Sequence, residues 1–198
     1  AVASVPFAMP LAHIGGGEAT EGVIDEAIRH SITKISHLHF ASTEYYGRRI
    51  IQMGEEPWRV TISGATSLDN LNELAWVSRV ELEARVGMDL NPAPLLVTYH
   101  PVTLEYEDTE WQVTEMLAAL DKVGAPVIFT DPNADTRGRV VRRLIGGYVA
   151  SHPNARAVVN LGSQAYFSLL KYCAAMLGNS SSGIIEAPSF KIGTVNIG

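Results

Sequence analysis

Residues 174–189, AAMLGNSSSGIIEAPS, contain the pattern on which the fold assignment depends. The apolar run Ala174–Leu177 is typical of a buried strand, and Gly183–Ala187 is typical of the first turn of a helix. Between them lie three consecutive serines, Ser180, Ser181 and Ser182. A strand that turns directly into a helix exposes backbone N–H groups where phosphates bind. The stretch therefore predicts a phosphate or diphosphate site or, taken alone, a serine-rich helix cap.

The same alternation of strand and helix runs through the whole chain. Strand-like segments lie at residues 10–14, 37–41, 59–63, 95–99, 126–130, 157–160, 174–177 and 194–198, with helical periodicity between them. This order predicts an α/β fold with parallel sheets and right-handed crossovers. Ligands of such sheets bind beyond the carboxyl ends of the strands. Five polar or glycine-rich segments fall at these ends: Gly15–Gly17, His100, Asn133, Gly162–Ser163 and Ser180–Ser182.

Composition narrows the class of protein. The chain has 198 residues, a net charge of −6 and one cysteine, Cys173. The acidic balance disfavours nucleic acid and anionic membranes as partners. A single cysteine excludes an intramolecular disulfide and is typical of a reducing compartment, where Cys173 would be a small core residue. There is no apolar run long enough to span a membrane. We therefore expect a soluble cytoplasmic protein.

A domain boundary is predicted near the middle of the chain. A long polar helix is expected from about Asn72, and the loop Gly87–Pro94 follows it. A helix that ends in a loop rich in Gly and Pro is typical of a boundary, which we set between residues 88 and 89. Because the chain begins and ends in apolar segments, we expect it to be a piece of a longer protein, truncated at both ends.

The first predicted long helix, residues 24–36, carries a polar stripe. Glu26, Arg29, His30 and Thr33 recur at steps of three and four, and Asp25 lies beside them. The stripe is either a solvated helix face with a Glu–Arg pair or a cleft wall with an acid, a base and a cation.

Other motifs point away from cofactors. His37 and His39 could bind a metal, but no third ligand lies at a suitable spacing, so no metal is expected. The chain has no Gly-x-Gly-x-x-Gly and no phosphate-loop lysine motif, which disfavours the dinucleotide and nucleoside triphosphate folds. No cofactor is expected.

Three groups of residues together resemble a known family, the hydrolysing UDP-N-acetylglucosamine 2-epimerases. They are His13–Glu18 with Asp25–Lys34 and Ser36–Phe40, then Gly64-Ala65 with His100–Thr103, and finally Gly178–Ser189. The resemblance covers essentially the whole chain in the expected order. It implies a two-domain GT-B fold, in which residues 1–88 are part of the N-terminal Rossmann-like domain. Residues 89–198 are then the first part of the C-terminal, UDP-binding one.

The resemblance also implies an activity. UDP-N-acetylglucosamine and water are converted to N-acetylmannosamine and UDP, the entry to sialic acid synthesis. UDP is eliminated across C1–C2, and water adds to the glycal-like intermediate at C1 with inversion at C2. This chemistry needs carboxylates for proton transfer and cations or dipoles for the leaving diphosphate. A homo-oligomer is expected for the full-length protein.

The resemblance further assigns roles to individual residues. Glu26 matches a catalytic carboxylate with Asp25, Arg29 and His30 as neighbours, and His100 matches an active-site histidine near the diphosphate. UDP contacts are expected from Ser180, Ser181, Ser182, Asn133, Gly162, Arg29 and His30, and Glu186 is expected to bind the ribose hydroxyls.

One position departs from the family pattern. Gly15 stands where family members usually have His or Glu, so proton transfer there depends on a substitute, and Glu18 is the candidate. Since other catalytic segments of the family have no counterpart in these 198 residues, we expect the chain alone to be inactive. The alternatives are a non-hydrolysing 2-epimerase, another GT-B UDP-sugar enzyme such as a glycosyltransferase, and a fragment that only binds UDP weakly.

Overall fold

The strands form two parallel sheets in the computed structural model of the chain, which describes residues 1–20, 24–101, 107–132 and 138–197. The sheets belong to two units, Ala1–Asn72 (unit 1) and Glu73–Gly198 (unit 2). The α/β prediction with parallel sheets is confirmed.

Unit 1 is built on a parallel sheet with the order β1-β2-β3 within the described residues. After a 3-10 turn at Val2–Phe7, its elements are β1 (Ala12–Ile14), α1 (Asp25–Ile35), β2 (Leu38–Ala41), α2 (Glu44–Gln52), β3 (Val60–Ile62) and α3 (Thr66–Glu73). His13 lies beside His39 in the β1–β2 register. The core side of this unit includes Ala41, Ile50, Thr33 and His39, each fully buried.

Two local features set the connections in unit 1. Thr43 caps α2 by accepting a hydrogen bond from the Tyr46 N–H at 3.3 Å. Gly17 has φ +77°, and a Cβ there would overlap the Tyr46 carbonyl oxygen. The loop after β1 therefore packs directly on the α2 backbone, and Gly17 is needed for that approach rather than for a ligand.

Unit 2 contains a parallel sheet with the order β6-β5-β4-β7-β8 within the described ranges. Its elements are α4 (Arg79–Val86), β4 (Leu95–Thr98), α5 (Thr109–Val123), β5 (Val127–Thr130), α6 (Gly138–Ser151), β6 (Ala155–Val158), α7 (Gly162–Leu170), β7 (Ala175–Gly178), α8 (Ser182–Ile185) and β8 (Gly193–Asn196). The chain moves outward from β4 to β6 and returns to the other side of β4 with β7. The strand order thus reverses between β4 and β7, and the crevice at such a switch point is where doubly wound sheets bind ligands.

Helices α5 and α6 cover one face of this sheet. Val113 of α5 and Val141 of α6 are fully buried and pack with Val97, Val127 and Phe129 of the central strands. Cys173 is buried as predicted, and its thiol donates to the Leu169 carbonyl at 3.3 Å. Burial raises the pKa of this thiol to about 12, so it remains protonated.

The long polar helix predicted from Asn72 is wrong as a continuous element. Helix α3 ends at Glu73, residues 74–78 are not helical, and α4 begins at Arg79. Ser78 caps α4 by accepting the Glu81 N–H, and the Val77 N–H donates to Ser168 Oγ at 2.9 Å. These bonds divert the backbone donors of the segment from helix continuation.

The border between the two compact units lies before the predicted domain boundary at residues 88 and 89. It lies between Asn72 and Glu73, because α4 packs on α7 and β6 of unit 2. Strand β6 begins at Ala155, two residues before the predicted Ala157. Within the described part of the chain, every helix is too short or too polar to cross a membrane.

Candidate functional site

In unit 2, polar groups gather at the carboxyl ends of β4 and β7, on either side of the switch point. Asn179 follows β7 and binds the backbone of His100, which follows β4. Its Oδ1 accepts the His100 N–H at 2.7 Å, and its Nδ2 donates to the His100 carbonyl at 2.8 Å. The side chain of one strand end thus fixes the main chain of the other, which sets the position of His100.

The serine motif Ser180–Ser182 continues from Asn179. We expected several free N–H groups at the start of a helix. Helix α8 has only four residues, and several N–H groups of the motif already have acceptors. The N–H of Ser182 donates to Ser180 Oγ at 3.4 Å, and those of Gly183 and Ile184 donate to the carbonyls of Ser180 and Ser181. These three N–H groups are therefore used within the motif, whereas its serine hydroxyls are candidate donors to a ligand. Ser181 is exposed, and Ser180 and Ser182 are half-buried.

Ser182 has a specific partner on the preceding helix. The Tyr166 hydroxyl of α7 donates to Ser182 Oγ at 2.7 Å. Burial raises the pKa of Tyr166 to about 12, and the nearby Glu186 adds to the effect, against the Ser182 hydrogen bond. The phenol therefore carries its proton at every physiological pH.

Glu186 lies at the end of α8 and is only 8 % exposed. Its carboxylate has no hydrogen-bond or ion-pair partner among the residues the structure describes. Its oxygens are not among the buried polar atoms that lack a partner, so they reach solvent and are open to two ligand hydroxyls. This arrangement fits the role expected for Glu186.

Of the other predicted residues of unit 2, the structure does not bring Gly162 to this place. Gly162 begins α7 after the edge strand β6, which is separated from β7 by β5 and β4, about 14 Å at the usual strand spacing. Its N–H already donates to Asn160 Oδ1 at 2.8 Å. Asn133 lies outside the described residues, as do Val102 and Thr103.

In unit 1, the polar stripe of α1 converges on the Glu26 carboxylate. Its Oε2 accepts the Thr20 N–H at 2.6 Å and lies 3.8 Å from Arg29 Nη1. Its Oε1 lies 3.1 Å from His30 Nε2 and 3.4 Å from Arg49 Nη2. The stripe is therefore a bound cluster of charges and not a freely solvated face.

These contacts determine the charge state of Glu26. The Thr20 N–H lowers the pKa of Glu26 most, burial opposes it, and the hydrogen bonds from His30 and Arg49 lower it further. Glu26 is thus an ionised carboxylate at neutral pH, and it can only accept hydrogen bonds. His30 must therefore carry its proton on Nε2 when it binds Glu26.

The second carboxylate of the cluster is Glu18. Its Oε1 accepts from Ser42 Oγ at 2.9 Å, and its backbone carbonyl accepts from Arg29 Nη1 at 3.2 Å. A Cβ added to Gly15 would lie 3.8 Å from the same Glu18 Oε1. The structure therefore brings the Glu18 carboxylate to the space beside Gly15. Asp25, in contrast, is exposed at the start of α1, apart from the Glu26 cluster.

A neutral histidine completes the surroundings. Burial and then the charges of His39 and Arg29 lower the pKa of His13. Thr33 donates its proton to the Arg29 carbonyl at 3.1 Å, so its Oγ1 accepts from His13 Nδ1, also at 3.1 Å. The neutral ring of His13 then has an unprotonated Nε2.

His37 and His39, considered above as a metal pair, are separated. His37 Nδ1 accepts the Leu11 N–H at 3.2 Å at the surface, whereas His39 is fully buried with Nε2 3.3 Å from Glu55 Oε2. Within the described residues there is no group of three or more metal-binding side chains.

Several residues of the candidate site were missed by sequence reasoning. Arg49 and Ser42 contact the two carboxylates of unit 1 from the segment 42–49, and no local pattern marks them. Asn179 lies within the serine motif and could have been proposed from its position there. Tyr166 precedes that motif by one strand and has no signal of its own.

The two parallel-sheet units, one with its ligand groups at a switch point, have the architecture of a GT-B α/β protein. The sequence profile of the UDP-N-acetylglucosamine 2-epimerase family matches residues 1–198, and the chain belongs to this family.

Curated relatives support the same assignment. A GDP/UDP-N,N'-diacetylbacillosamine 2-epimerase (hydrolyzing) of Campylobacter jejuni is 43% identical over 201 residues, which cover 100% of this chain and 52% of the relative. Polysialic acid biosynthesis protein P7 of Escherichia coli is 40% identical over 100% of this chain and 51% of its own. A UDP-N-acetylglucosamine 2-epimerase of Neisseria meningitidis is 31% identical over 94% of this chain and 48% of its own. The chain thus spans about half the length of the curated relatives it matches.

Solved structures agree on the fold. The UDP-GlcNAc 2-epimerase from Neisseria meningitidis bound to UDP-GlcNAc superposes with a TM-score of 0.80 at 18% identity, over 98% of this chain and 54% of that one. The S. aureus MnaA–UDP co-structure superposes with a TM-score of 0.78 at 15% identity, over 98% of this chain and 52% of that one. Identities this low carry the fold only.

Proposed function

We propose that the whole protein is a hydrolysing 2-epimerase that converts UDP-N-acetylglucosamine and water to N-acetylmannosamine and UDP. The reaction removes the C2 proton, breaks the bond between C1 and the diphosphate oxygen, adds water at C1 and returns a proton to C2 from the opposite face. The observation that carries the nucleotide part is the accessible Glu186 carboxylate, unpartnered within the described residues, in the same motif as the serine hydroxyls at the β4–β7 switch point.

Unit 2 holds the leaving group in this proposal. Glu186 binds the ribose hydroxyls, and Ser180, Ser181 and Ser182 donate to the diphosphate. His100, with its backbone fixed by Asn179, contacts the leaving oxygen. Asn133 stays a proposed UDP contact from the family resemblance, while Gly162 has the weakest support because its N–H is already used.

The proton chemistry belongs to the unit 1 cluster. Glu18 has the freer carboxylate and lies beside Gly15, so we assign it the proton transfer that a side chain at Gly15 would perform. Glu26 remains a proposed catalytic carboxylate, but its several partners favour a role in orienting Arg29 and His30 near the substrate. Asp25 is the third proposed catalytic acid, open to solvent at the start of α1.

The identity of the sugar has two candidates. N-acetylglucosamine, with a place in sialic acid synthesis, is the first. The second is UDP-N,N'-diacetylbacillosamine. Relatives named for this sugar are 43% and 36% identical to the chain, whereas the relative named for UDP-N-acetylglucosamine is 31% identical. Both are UDP-linked 2-acetamido sugars that require the same chemistry at C1 and C2.

Further parts of the proposal follow the family resemblance. Residues 1–88 and 89–198 stay assigned by the resemblance to the N-terminal and C-terminal domains, whereas the compact units divide between Asn72 and Glu73. We also propose a cytoplasmic location and a homo-oligomer for the whole protein.

The UDP site is tested by calorimetry of the chain with UDP. Glu186→Gln should weaken UDP binding about tenfold or more, because hydrogen bonds to a charged acceptor contribute about 1.5–3 kcal/mol each. Glu115→Gln, an exposed α5 substitution, is the matched control and should leave the affinity unchanged. Equal affinities for the Glu186 and Glu115 variants would remove Glu186 from the site.

The reaction is tested by product analysis with the whole protein. Each UDP-sugar should yield UDP and a free, C2-inverted 2-acetamido sugar, and deuterium from solvent should appear at C2. A UDP-linked epimer with no free sugar would instead indicate the non-hydrolysing reaction, and consumption only with an acceptor present would indicate a glycosyltransferase. The sugar with the higher kcat/KM identifies the natural substrate.

A further inference from the structure

Tyr166 is the one side chain of α7 that reaches the serine motif among the described contacts. Its neighbours Ala165, Phe167 and Ser168 are buried, so α7 is anchored in unit 2 and the Tyr166 backbone is fixed. The ring packs edge-on against Phe167, with centroids 5.8 Å apart. The phenol is therefore presented to Ser182 by a rigid element.

The direction of the hydrogen bond is determined by the acceptors available. The phenol oxygen lies 2.7 Å from Ser182 Oγ and 3.7 Å from Met176 Sδ. A hydroxyl oxygen at 2.7 Å is a much better acceptor than a thioether sulfur. Since the phenol pKa is raised to about 12, the proton is always present for donation. Ser182 Oγ is thus an acceptor for Tyr166.

The hydroxyl proton of Ser182 is not used in its hydrogen bond with Tyr166. Ser182 donates its hydroxyl proton to no protein acceptor within the described part of the chain. A hydroxyl that accepts one hydrogen bond becomes a stronger donor of its own proton. Ser182 is therefore both held in one orientation and polarised toward an oxygen outside the protein.

We infer that Tyr166 is a positioning residue for the diphosphate, acting through Ser182 to fix and strengthen a hydroxyl donor to a phosphate oxygen. This assignment rests on the proposed function and deepens it, because it separates the recognition of the diphosphate from that of the nucleoside. Glu186 serves the nucleoside, whereas the Tyr166–Ser182 pair serves the phosphates.

The substitution Tyr166→Phe removes the hydroxyl and keeps the buried ring. We expect UDP binding to weaken about three- to tenfold, the usual effect of one hydrogen bond. Binding of uridine, which has no phosphate, should be unchanged. A merely structural role would weaken both ligands together. Tyr172→Phe, in the turn after α7, is the matched control and should change neither affinity.

A double-mutant comparison tests the route through Ser182. Ser182→Ala alone should weaken UDP binding, and adding Tyr166→Phe to it should have no further effect. Additive losses, equal losses for UDP and uridine, or unchanged UDP binding in Tyr166→Phe would overturn the assignment. If the unsubstituted chain binds no UDP by calorimetry, the proposed function fails and this assignment fails with it. Normal UDP binding with an unaffected Tyr166→Phe variant overturns this assignment alone.

Discussion

At the residue scale, Glu55, in the loop after α2, shows how one largely buried carboxylate joins two elements of unit 1. Its carboxylate binds Lys34 of α1 and lies 3.3 Å from His39 of β2. Burial alone would raise the pKa of Glu55, but the hydrogen bonds and charges of Lys34 and His39 outweigh it, and the net pKa is lowered. The folded state therefore favours the ionised carboxylate.

Replacing Glu55 by Gln should destabilise the chain by about 1–3 kcal/mol, because Lys34 and His39 lose a charged acceptor. The measurement is the free energy of unfolding in urea. Glu44→Gln is the control: its side chain is 81 % exposed and 3.9 Å from Arg48, so the change should stay within about 0.5 kcal/mol.

The same variant tests the pH dependence. A carboxylate with a lowered folded pKa stabilises the protein above its usual pKa of 4.5, and this contribution disappears as the pH falls through the lowered value. The difference in unfolding free energy between the original chain and Glu55→Gln should therefore be largest at pH 7 and should disappear below about pH 4. A gap that widens in acid would contradict the assigned direction.

Residue roles were only partly predictable from sequence. The resemblance pointed to Glu26, Glu18 and Glu186, and the structure brings the first two into one cluster. The partner of Glu26 on α2, Arg49, is 23 residues away, and its contact depends on how α2 packs beside α1. Local patterns carry no information on such a distant pair.

At the element scale, the site depends on how closely β4 and β7 approach. The two strands pair from Leu95–Ala175 to Thr98–Gly178. Gly178 has φ +134°, and a Cβ there would overlap the Thr98 carbonyl oxygen, which belongs to the backbone and cannot move aside. Glycine is therefore required where β7 turns into the serine motif.

Gly178→Ala should destabilise unit 2 by more than about 2 kcal/mol, through the clash and the disfavoured φ. Gly147→Ala in α6 is the control, because a Cβ there meets nothing within 4 Å and alanine favours helix. It should be neutral or stabilise by up to about 1 kcal/mol. Urea unfolding of both variants gives the comparison, and equal effects would contradict the close approach.

The elements themselves were largely predictable. Alternating apolar segments identified most of the strands, and helical periodicity identified α1 within residues 24–36. The break between α3 and α4 was not predicted. The backbone groups of Ala75 and Val77 form hydrogen bonds with side chains of α7, including Ser168. The ring centroids of Trp76 and Phe190 lie 6.3 Å apart. These tertiary contacts override helical periodicity in this segment.

At the scale of the whole molecule, the two units differ in the cores they bury. Among the described residues, the buried hydrophobic side chains of unit 1 are Ala41 and Ile50, whereas unit 2 buries many, with Leu96, Ile128 and Phe129 fully enclosed. Strands β2 and β4 each have neighbours on both sides, so the difference between the units lies in their apolar cores. Apolar burial dominates local stability, so unit 2 should open less often.

Hydrogen exchange measured by mass spectrometry should show this difference. The amides of β4, β5 and β7 should exchange at least about tenfold more slowly than those of β2 under the same conditions. Comparison within one molecule provides the control for pH and temperature. Equal protection of β2 and β4 would contradict the prediction and indicate that both units open together.

The sequence by itself determined the features that depend on local order. Strand–helix alternation implies parallel sheets, and the strand ends locate the ligand edge, because the chain direction fixes which edge the carboxyl ends share. The Gly178–Ser189 motif and its companions were enough for the family resemblance, which the profile match over residues 1–198 confirms.

Only the tertiary structure decided which side chains meet. The Asn179–His100 clamp joins residues 79 positions apart, and the Tyr166–Ser182 bond joins residues 16 apart across a strand. Sheet order and helix packing bring these pairs together, and neither leaves a periodic trace in the sequence. The same packing gives the N–H groups of Ser182, Gly183 and Ile184 acceptors within the motif, which the sequence pattern alone did not indicate.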